Sequence, residues 1–249
     1  MKHRLGIIDW GIGGVSIYKL VKAKTNVPVT YFSDTGVTPY GKMSRGELST
    51  RLDHVIDFLK TLGVTHLVIG CNAASTALPF LKEHNIPIEG VIETAVESTA
   101  KLNPMRLGLI GGRRTVVSGT YRCAFAEYGI NVRQRIAQPL SGLIESGDVS
   151  SAMLRETARR ILTPLKNCSH ILLACTHYPA ITPLLAELVS PQTKFIDPAA
   201  ALLPKVEQWK LNGGSGVDEF LTSGNPSDMR RAAKAAFGVD VNDPIQKKL

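Results

Sequence analysis

Two cysteines about one hundred residues apart are the residues of this chain whose positions most strongly suggest chemistry. Each ends a short apolar run, because His66-Leu-Val-Ile-Gly-Cys71 is matched by His170-Ile-Leu-Leu-Ala-Cys175 at an offset of 175 − 71 = 104 residues. A second pair, Leu-Gly-Ile-Ile from Leu5 and Leu-Gly-Leu-Ile from Leu107, repeats at an offset of 107 − 5 = 102. Two nearly equal offsets indicate a duplicated α/β unit, and catalytic groups in open α/β sheets gather at the carboxyl ends of strands. We therefore expect the two thiols to face each other across one shared cleft.

A thiol between a strand and a helix lies near the helix N-terminus, whose partial positive charge favours the thiolate. Cys175 with His177 could form a nucleophile and its base. Cys71, Cys175 and His177 could bind zinc, although the chain has no closely spaced cysteine pair. Two-base chemistry at a carbon stereocentre would use both sulphurs, since a thiolate removes a proton from one face and a thiol delivers one to the other. Packing of two buried cysteines is the alternative without chemistry.

The turn after the first apolar run could bind a carboxylate. Asp9 closes the run, and Gly11, Gly13 and Gly14 follow, which would let backbone N–H groups approach an anion. A dinucleotide site is the weaker interpretation, because Ser16 stands where G-x-G-x-x-G has its third glycine.

Three other positions allow either a structural or a binding role. Pro39-Tyr40-Gly41 lies in a long loop that either forms a simple turn or closes over a ligand. Asn72 and Thr176 directly follow the two cysteines. Each of them is either a helix cap or a donor to a substrate carboxylate.

Strands and helices alternate along the chain, as the apolar runs and the 3.6-residue periodicities predict. The predicted strands are 5–9, 29–34, 66–71, 86–93, 106–112, 130–137, 170–175, 194–198 and 218–224. The predicted helices are 14–24, 47–63, 74–84, 115–128, 149–166, 179–190, 200–209 and 228–238. Such alternation predicts parallel sheets with right-handed crossovers. Residues 210–217 are interpreted as a connection and 241–249 as a frayed end.

The composition, with 44% hydrophobic and 20% charged residues, is that of a globular protein with a buried core. No stretch approaches the roughly 18 to 20 apolar residues that span a bilayer. The first four residues run straight into a predicted strand, so we expect no export signal, a cytoplasmic location and free thiols. The net charge of +8 is spread along the chain without a long basic tract. We therefore expect no nucleic-acid or membrane partner, and a basic protein suits an anionic small substrate.

Together these segments resemble the glutamate racemases of the cofactor-independent aspartate/glutamate racemase superfamily. The resemblance covers nearly the whole chain. It rests on DWGIGG (9–14), SDTGVTPYG (33–41), GCNAAS (70–75), ACTHYP (174–179) and FLTSGNPSDMRRAAKAAFG (220–238). It implies two pseudo-symmetric α/β domains with mainly parallel sheets and an active site at their interface. The first domain would comprise residues 1–95 plus 206–249, and the second residues 96–205.

The resemblance also implies an activity and its residues. Cys71 and Cys175 would be the two acid/base thiols that interconvert L- and D-glutamate, Cys71 acting on the D-enantiomer and Cys175 on the L-enantiomer. Asp9 and His177 would assist them, and Glu145 falls near a further acidic assistant. The implied substrate-binding residues are Asp9, Trp10, Pro39, Tyr40, Gly41, Asn72, Ala73, Thr176 and His177. No cofactor or metal is implied, a homodimer is one expected assembly, and D-glutamate would supply peptidoglycan precursors for the cell wall.

Two positions depart from the family pattern. Trp10 stands where the family usually has serine, and Ala73 stands where it has threonine. Both changes remove a hydroxyl group from a position expected to hold the amino acid's polar groups, which predicts altered substrate handling.

Three hypotheses therefore remain. The first is a glutamate racemase. The second is a racemase of aspartate or another amino acid, or a dicarboxylate isomerase or decarboxylase of the same superfamily. The third is a catalytically impaired ligand-binding homologue. Retention of both cysteines argues against a decarboxylase with a single proton-donating thiol.

Overall fold

The computed structural model describes residues 3–211 and 216–249, in which ten strands form two sheets. All the paired strands run parallel, as predicted. The strands are β1 (Leu5–Asp9), β2 (Val29–Ser33), β3 (His66–Ile69), β4 (Ile88–Gly90), β5 (Leu107–Gly111), β6 (Val132–Ile136), β7 (His170–Ala174), β8 (Lys194–Ile196), β9 (Glu219–Thr222) and β10 (Ile245–Gln246).

Helices connect these strands. They are α1 (Val15–Lys22), α2 (Arg45–Thr61), α3 (Asn72–Ser75), α4 (Val91–Lys101), α5 (Arg113–Val117), α6 (Thr120–Glu127), α7 (Gln138–Glu145), α8 (Ala152–Leu162), α9 (Thr182–Ala186), α10 (Pro198–Gln208) and α11 (Pro226–Phe237). Short 3₁₀ turns lie at Tyr40–Lys42, Leu78–Phe80, Thr163–Leu165 and Tyr178–Ile181. In the part of the chain that the structure describes, no helix has the length and apolarity needed to cross a membrane.

The two sheets repeat one topology, which confirms the duplication. Their strand orders are β10-β9-β2-β1-β3-β4 and β6-β5-β7-β8, so β1 to β4 correspond to β5 to β8. The register is repeated as well, because Leu5 pairs with His66 in the first sheet and Leu107 pairs with His170 in the second. The strands that end beside Cys71 and Cys175 therefore occupy equivalent places.

The longest helix follows from local sequence signals. Ser44 and Glu47 form a capping box at the start of α2, each side chain bonding the other residue's backbone N–H. The apolar residues at helical spacing in this helix are buried against the first sheet's core; they are Leu48, Leu52, Val55, Ile56 and Leu59. The predicted helix 47–63 is thus confirmed, with a start two residues earlier.

Several predicted helices are shorter than their periodicity indicated. The helix predicted over 74–84 is wrong, because α3 is a single turn and a separate 3₁₀ turn contains Pro79, which lacks a backbone donor. The helix predicted over 115–128 divides into α5 and α6 at Gly119, whose φ of +73° breaks the helix. The helices predicted over 149–166 and 179–190 are reduced to α8 and α9, each adjoining a 3₁₀ turn.

Two other predictions are corrected. The strand predicted over 86–93 ends at Gly90, where α4 begins, and α4 and α7 had not been predicted. The end of the chain is not frayed, because β10 pairs with β9 and Arg51 donates to the carbonyl of Leu249 at 3.0 Å. Of the predicted connection 210–217, residues 212–215 lie outside the described residues.

Candidate active site

A cleft of about 320 Å³ lies where the carboxyl ends of β1, β3 and β7 meet. It contains both cysteines, and Cys71 and Cys175 are free thiols. The sequence-predicted residues that line it are Asp9, Trp10, Pro39, Tyr40, Gly41, Cys71, Asn72, Ala73, Cys175, Thr176 and His177. The structure therefore brings together residues separated by more than 160 positions in the chain.

Asp9 lies at the carboxyl end of β1, almost completely buried beside Cys71. Its carboxylate accepts the backbone N–H of Trp10 at 2.6 Å and the hydroxyl of Thr176 at 2.7 Å. Burial raises the pKa of Asp9, and the charge of His177 and the Thr176 hydroxyl offset part of that rise. This carboxylate thus joins the strand end of one sheet to a loop of the other.

Cys71 directly precedes α3 and faces that carboxylate. Burial raises the pKa of the Cys71 thiol well above its usual value, and the negative charge of Asp9 adds to the rise. The backbone N–H groups of Ala74 and Trp10 act in the opposite direction. A thiol with a high pKa yields a strongly basic thiolate, which is what removal of a proton from a weakly acidic carbon requires.

Cys175 has a different environment, because an imidazole rather than a carboxylate lies beside it. Its Sγ is 3.6 Å from Nδ1 of His177, and Nε2 of that ring is 2.6 Å from the carboxylate of Glu145. Burial alone would lower the pKa of His177. The charges and hydrogen bonds of Cys175 and Glu145 outweigh burial and raise this pKa well above its usual value. A positive charge is therefore held beside the second thiol.

Glu145 ends α7 and lies behind His177, outside the cleft lining. It also accepts the backbone N–H of Ile12 at 2.9 Å, so it joins the second sheet's unit to the turn after β1. A side chain at Gly11 would overlap the carboxylate of Glu145, and one at Gly13 would overlap the hydroxyl of Thr176. The glycines of this turn thus allow the two halves of the molecule to approach closely.

The segment 39–41 lines the cleft, as predicted, but the hydroxyl of Tyr40 does not point to a ligand. It donates to Asp34 at 2.7 Å. The same carboxylate is held by Arg51 at 2.7 and 2.8 Å and by Ser223 at 2.7 Å. The Tyr40 side chain is therefore fixed from behind by a buried ion pair and by the C-terminal part of the chain.

Asn72 and Thr176 do not cap helices. Oδ1 of Asn72 accepts the hydroxyl of Tyr121 at 2.7 Å, whereas its buried Nδ2 has no partner within the described residues. The Thr176 hydroxyl donates to Asp9 rather than accepting a backbone N–H at a helix N-terminus. Since Asn72 lines the cleft, its unpaired amide is a donor available to a bound anion.

Comparison with known proteins connects this geometry to a family. The sequence profile of the Asp/Glu/Hydantoin racemases matches residues 5–206. The chain belongs to this racemase family. It is 31% identical to the glutamate racemase of Aquifex aeolicus, over 99% of this chain and 98% of that protein. It is 30% identical to the glutamate racemase of Bacillus cereus, over 98% and 96%.

Solved structures of racemases share the fold. The glutamate racemase of Francisella tularensis in complex with D-glutamate superposes with a TM-score of 0.87 at 25% identity, covering 100% of this chain and 97% of that one. The Thermus thermophilus glutamate racemase in complex with beta-chloro-D-alanine superposes with a TM-score of 0.85 at 28% identity, covering 100% and 98%. These neighbours confirm the two-domain α/β architecture.

Sequence reasoning predicted Cys175, Thr176 and His177 on the second sheet's side of this racemase cleft, but it missed the rest of that wall. The missed residues are Gly112, Arg113, Thr115, Gln138, Ser141, Gly142 and Ala174. The internal repeat was the signal that could have located them. Residues 112–115 follow β5 as Trp10 and the glycine turn follow β1, and Gln138 lies in the segment after β6, as Asp34 lies in the segment after β2.

Charge is divided between the mouth and the interior of the racemase cleft. The exposed cations Lys42 and Arg113 reach its edge from opposite sides, whereas Asp9 is buried within it. Cations at a cleft mouth attract anionic substrates. Within the described residues, no group of three or more His, Cys, Asp or Glu side chains is arranged to hold a metal ion.

Proposed function

We propose that this protein is a cofactor-independent glutamate racemase that interconverts L- and D-glutamate by proton transfer between two thiols. The observation that carries the proposal is the pair of free thiols, Cys71 and Cys175, in one cleft at equivalent strand ends. Membership of the racemase family and similarity to proteins named glutamate racemases support the same activity.

The proposed reaction needs one base and one acid in each direction. With D-glutamate, the Cys71 thiolate takes the α-proton and the Cys175 thiol gives its proton to the opposite face of the same carbon. The products are L-glutamate, a Cys71 thiol and a Cys175 thiolate, so protons and charge balance. With L-glutamate, the two cysteines exchange roles.

Asp9, His177 and Glu145 are proposed to assist the thiols. The carboxylate of Asp9 makes the Cys71 thiolate more basic, and the His177 imidazolium, held by Glu145, stabilises the negative charge that forms on Cys175. Asp9 thus assists one thiol of the proton transfer, and His177 with Glu145 assists the other.

The α-proton of an amino acid is weakly acidic, so the cleft must stabilise a carbanion-like transition state. The unpaired Nδ2 of Asn72 supports a role as donor to the substrate carboxylate, and Thr176 would share that role. Trp10, Pro39, Tyr40, Gly41 and Ala73 are proposed to shape the remaining wall and exclude water.

The experiment that tests this function is NMR in deuterated water. L-glutamate and D-glutamate are each incubated with the protein, and loss of the α-proton signal and circular dichroism are followed. We expect exchange from both enantiomers and the same final mixture, because enantiomers have equal free energies. Aspartate and other dicarboxylates, run in parallel, test the alternative substrates. Tight glutamate binding without exchange would instead favour an impaired ligand-binding homologue.

Variants of the two cysteines test the mechanism. Cys71→Ala and Cys175→Ala should each abolish racemisation, because each direction requires both groups. Cys→Ser variants should retain slow elimination from an analogue with a leaving group in one enantiomeric series, because elimination needs a base on only one face. Wild-type racemisation by the Cys175→Ala variant would contradict the two-base mechanism.

The domain boundaries, the cellular location, the biological role and the oligomeric state are also proposals. We propose a discontinuous first domain of residues 1–95 plus 206–249, supported by β9 and β10 in the first sheet, and a second domain of residues 96–205. We propose a cytoplasmic location, which keeps catalytic thiols reduced, and a role in supplying D-glutamate for peptidoglycan. A homodimer is a further proposal, which light scattering after size-exclusion chromatography would test.

A further inference from the structure

Arg114 crosses the cleft without being part of its lining. It belongs to α5, between Arg113 and Thr115, which both line the cleft. Its guanidinium donates from Nε to the hydroxyl of Thr76 at 2.9 Å and from Nη1 to the backbone carbonyl of Met43 at 2.7 Å. One side chain therefore connects the second sheet's unit to two separate segments of the first.

We propose that Arg114 is a positioning residue for racemisation, which holds these two segments closed over the substrate and places a positive charge beside Cys71. The inference rests on the proposed function, in which Cys71 is an acid/base group. It adds a residue that lies outside the sequence motifs on which the resemblance rests and outside the cleft lining.

The two acceptors lie directly behind the proposed site residues. Met43 follows the 3₁₀ turn Tyr40–Lys42, which lines the cleft. Thr76 follows the one-turn helix that begins after Cys71, and its hydroxyl donates onward to the carbonyl of Ala73 at 2.7 Å. A shift of Thr76 would therefore be passed through a single helical turn to the proposed base.

Other side-chain hydrogen bonds across the cleft depend on the proposed site itself. They are Thr176 to Asp9, Ile12 to Glu145 and Tyr121 to Asn72. Arg114 differs because neither it nor its acceptors, Thr76 and Met43, is one of the proposed site residues. It can therefore be changed without removing a group that contacts substrate.

The acceptors of Arg114 are also uncharged, and no carboxylate pairs with it within the described residues. Its positive charge is therefore not neutralised by an ion pair. Burial lowers the pKa of Arg114, the nearby charge of Arg45 lowers it further, and the Cys71 thiolate raises it. Attraction between two charges is mutual, so the guanidinium, which stays protonated in proteins, favours the thiolate form of Cys71.

Groups on the other elements around Cys71 disfavour its thiolate form. Burial, the carboxylate of Asp9 and the thiolate of Cys175 all disfavour the Cys71 thiolate. The phenols of Tyr31 and Tyr40, which donate to the carbonyl of Gly11 and to Asp34, stay uncharged, because burial raises their pKa values well above the usual 10.0. Against these neighbours, the cation of Arg114 reduces the free-energy cost of forming the base.

The test compares Arg114→Met, which removes the hydrogen bonds and the charge, with Arg114→Lys, which keeps the charge. Arg122→Met, an exposed arginine of α6, is the matched control. Two quantities are measured. One is kcat/KM for glutamate, and the other is the pH dependence of alkylation of Cys71 and Cys175 by iodoacetamide, resolved by mass spectrometry of the labelled peptides.

We expect Arg114→Met to lower kcat/KM about tenfold, as for the loss of charge-assisted hydrogen bonds that are partly exposed. The alkylation midpoint of Cys71 should move to higher pH by roughly 0.5 to 1, which is less than for a charge in direct contact. Arg114→Lys should restore the Cys71 midpoint and only part of kcat/KM. Arg122→Met should match the wild type in both.

An unchanged Cys71 midpoint in Arg114→Met would overturn the inference, whatever happens to activity, because a purely structural role predicts that result. If Arg114→Met does not fold, Arg114→Lys decides, since wild-type kcat/KM in that variant would contradict the role assigned to the hydrogen bonds with Thr76 and Met43. Absence of α-proton exchange in the wild type would refute the proposed function alone. The alkylation measurement would still decide whether Arg114 acts on Cys71.

Discussion

Replacement of Glu145 by glutamine isolates the charge behind the second thiol. Glu145 is bonded to Nε2 of His177 at 2.6 Å and to the backbone N–H of Ile12 at 2.9 Å. Glutamine has the same shape and keeps an acceptor oxygen, but it carries no charge. The variant therefore tests whether the imidazolium form of His177 matters, with little change in packing.

The expected loss of kcat/KM follows from the type of hydrogen bond that is weakened between Glu145 and His177. His177 and Glu145 are largely buried, with side-chain exposures of 5% and 17%, so solvent screens their interaction only weakly. Hydrogen bonds to charged groups contribute about 1.5–3 kcal/mol. At about 1.4 kcal/mol per factor of ten, kcat/KM should fall roughly ten- to a hundred-and-fifty-fold.

The direction of the His177 pKa shift determines how stability and kcat/KM should change with pH in this variant. The pKa of His177 is raised on folding, so its contribution to stability is fully present below the unfolded value of about 6.5 and is lost as the pH rises through the folded value. Glutamine at position 145 removes part of that rise. The free energy of unfolding should therefore differ most between the two proteins near pH 6, and the alkaline limb of kcat/KM should move to lower pH.

The assay is the α-proton exchange rate in deuterated water across a pH series, with urea unfolding at the same pH values. Glu187→Gln is the matched control, because Glu187 pairs with Arg155 at 2.6 Å on the surface, at exposures of 58% and 41%. Exposed pairs contribute at most about 1 kcal/mol, and this one is far from the thiols. If Glu145→Gln kept the wild-type kcat/KM and alkaline limb, the assistance assigned to His177 and Glu145 would be wrong.

Two further replacements test packing and specificity. Gly13→Ala should lower the free energy of unfolding, measured in urea, by about 1–3 kcal/mol, because the new methyl group overlaps the Thr176 hydroxyl. The control Gly46→Ala, whose new methyl group has no atom within 4 Å, should leave that free energy unchanged or raise it. Trp10→Ser combined with Ala73→Thr should raise kcat/KM for glutamate about five- to a hundred-fold, because two new hydrogen bonds would contribute about 0.5–1.5 kcal/mol each. Efficient glutamate turnover by the wild type, with no gain in the double variant, would contradict this prediction.

The structure confirms the duplication and most predicted strands, whereas several predicted helices are shorter or divided. Buried parallel strands leave a continuous apolar run that can be seen locally, as in residues 66–71 and 170–175. Helical periodicity, in contrast, continued across Pro79 and Gly119, where the backbone leaves the helix. Apolar spacing records which face is buried, but proline and positive φ decide where the helix ends.

The sequence by itself determined that two cysteines end equivalent strands, because a repeat of about one hundred residues copies both the strand and its end. It also pointed to Asp9 and His177 through the motifs that carry the resemblance, and to Glu145 near a further acidic position. Tertiary structure alone decided which atoms meet. Examples are the hydroxyl of Tyr40, which is bonded to Asp34, and the amide of Asn72, which is left unpaired.

Arg114 shows the same division most clearly. The sequence placed it only between a predicted strand, 106–112, and a predicted helix, 115–128, and its acceptors lie 38 and 71 residues earlier in the chain. The internal repeat indicates which strand ends of the second sheet contribute to the cleft wall, but only the orientation of the two units brings residues such as Gln138 to the thiols' cleft. Local sequence determines strands and their ends through hydrophobic burial and backbone preference. Hydrogen-bond partners across a cleft depend on how two folded units are oriented, which no single segment encodes.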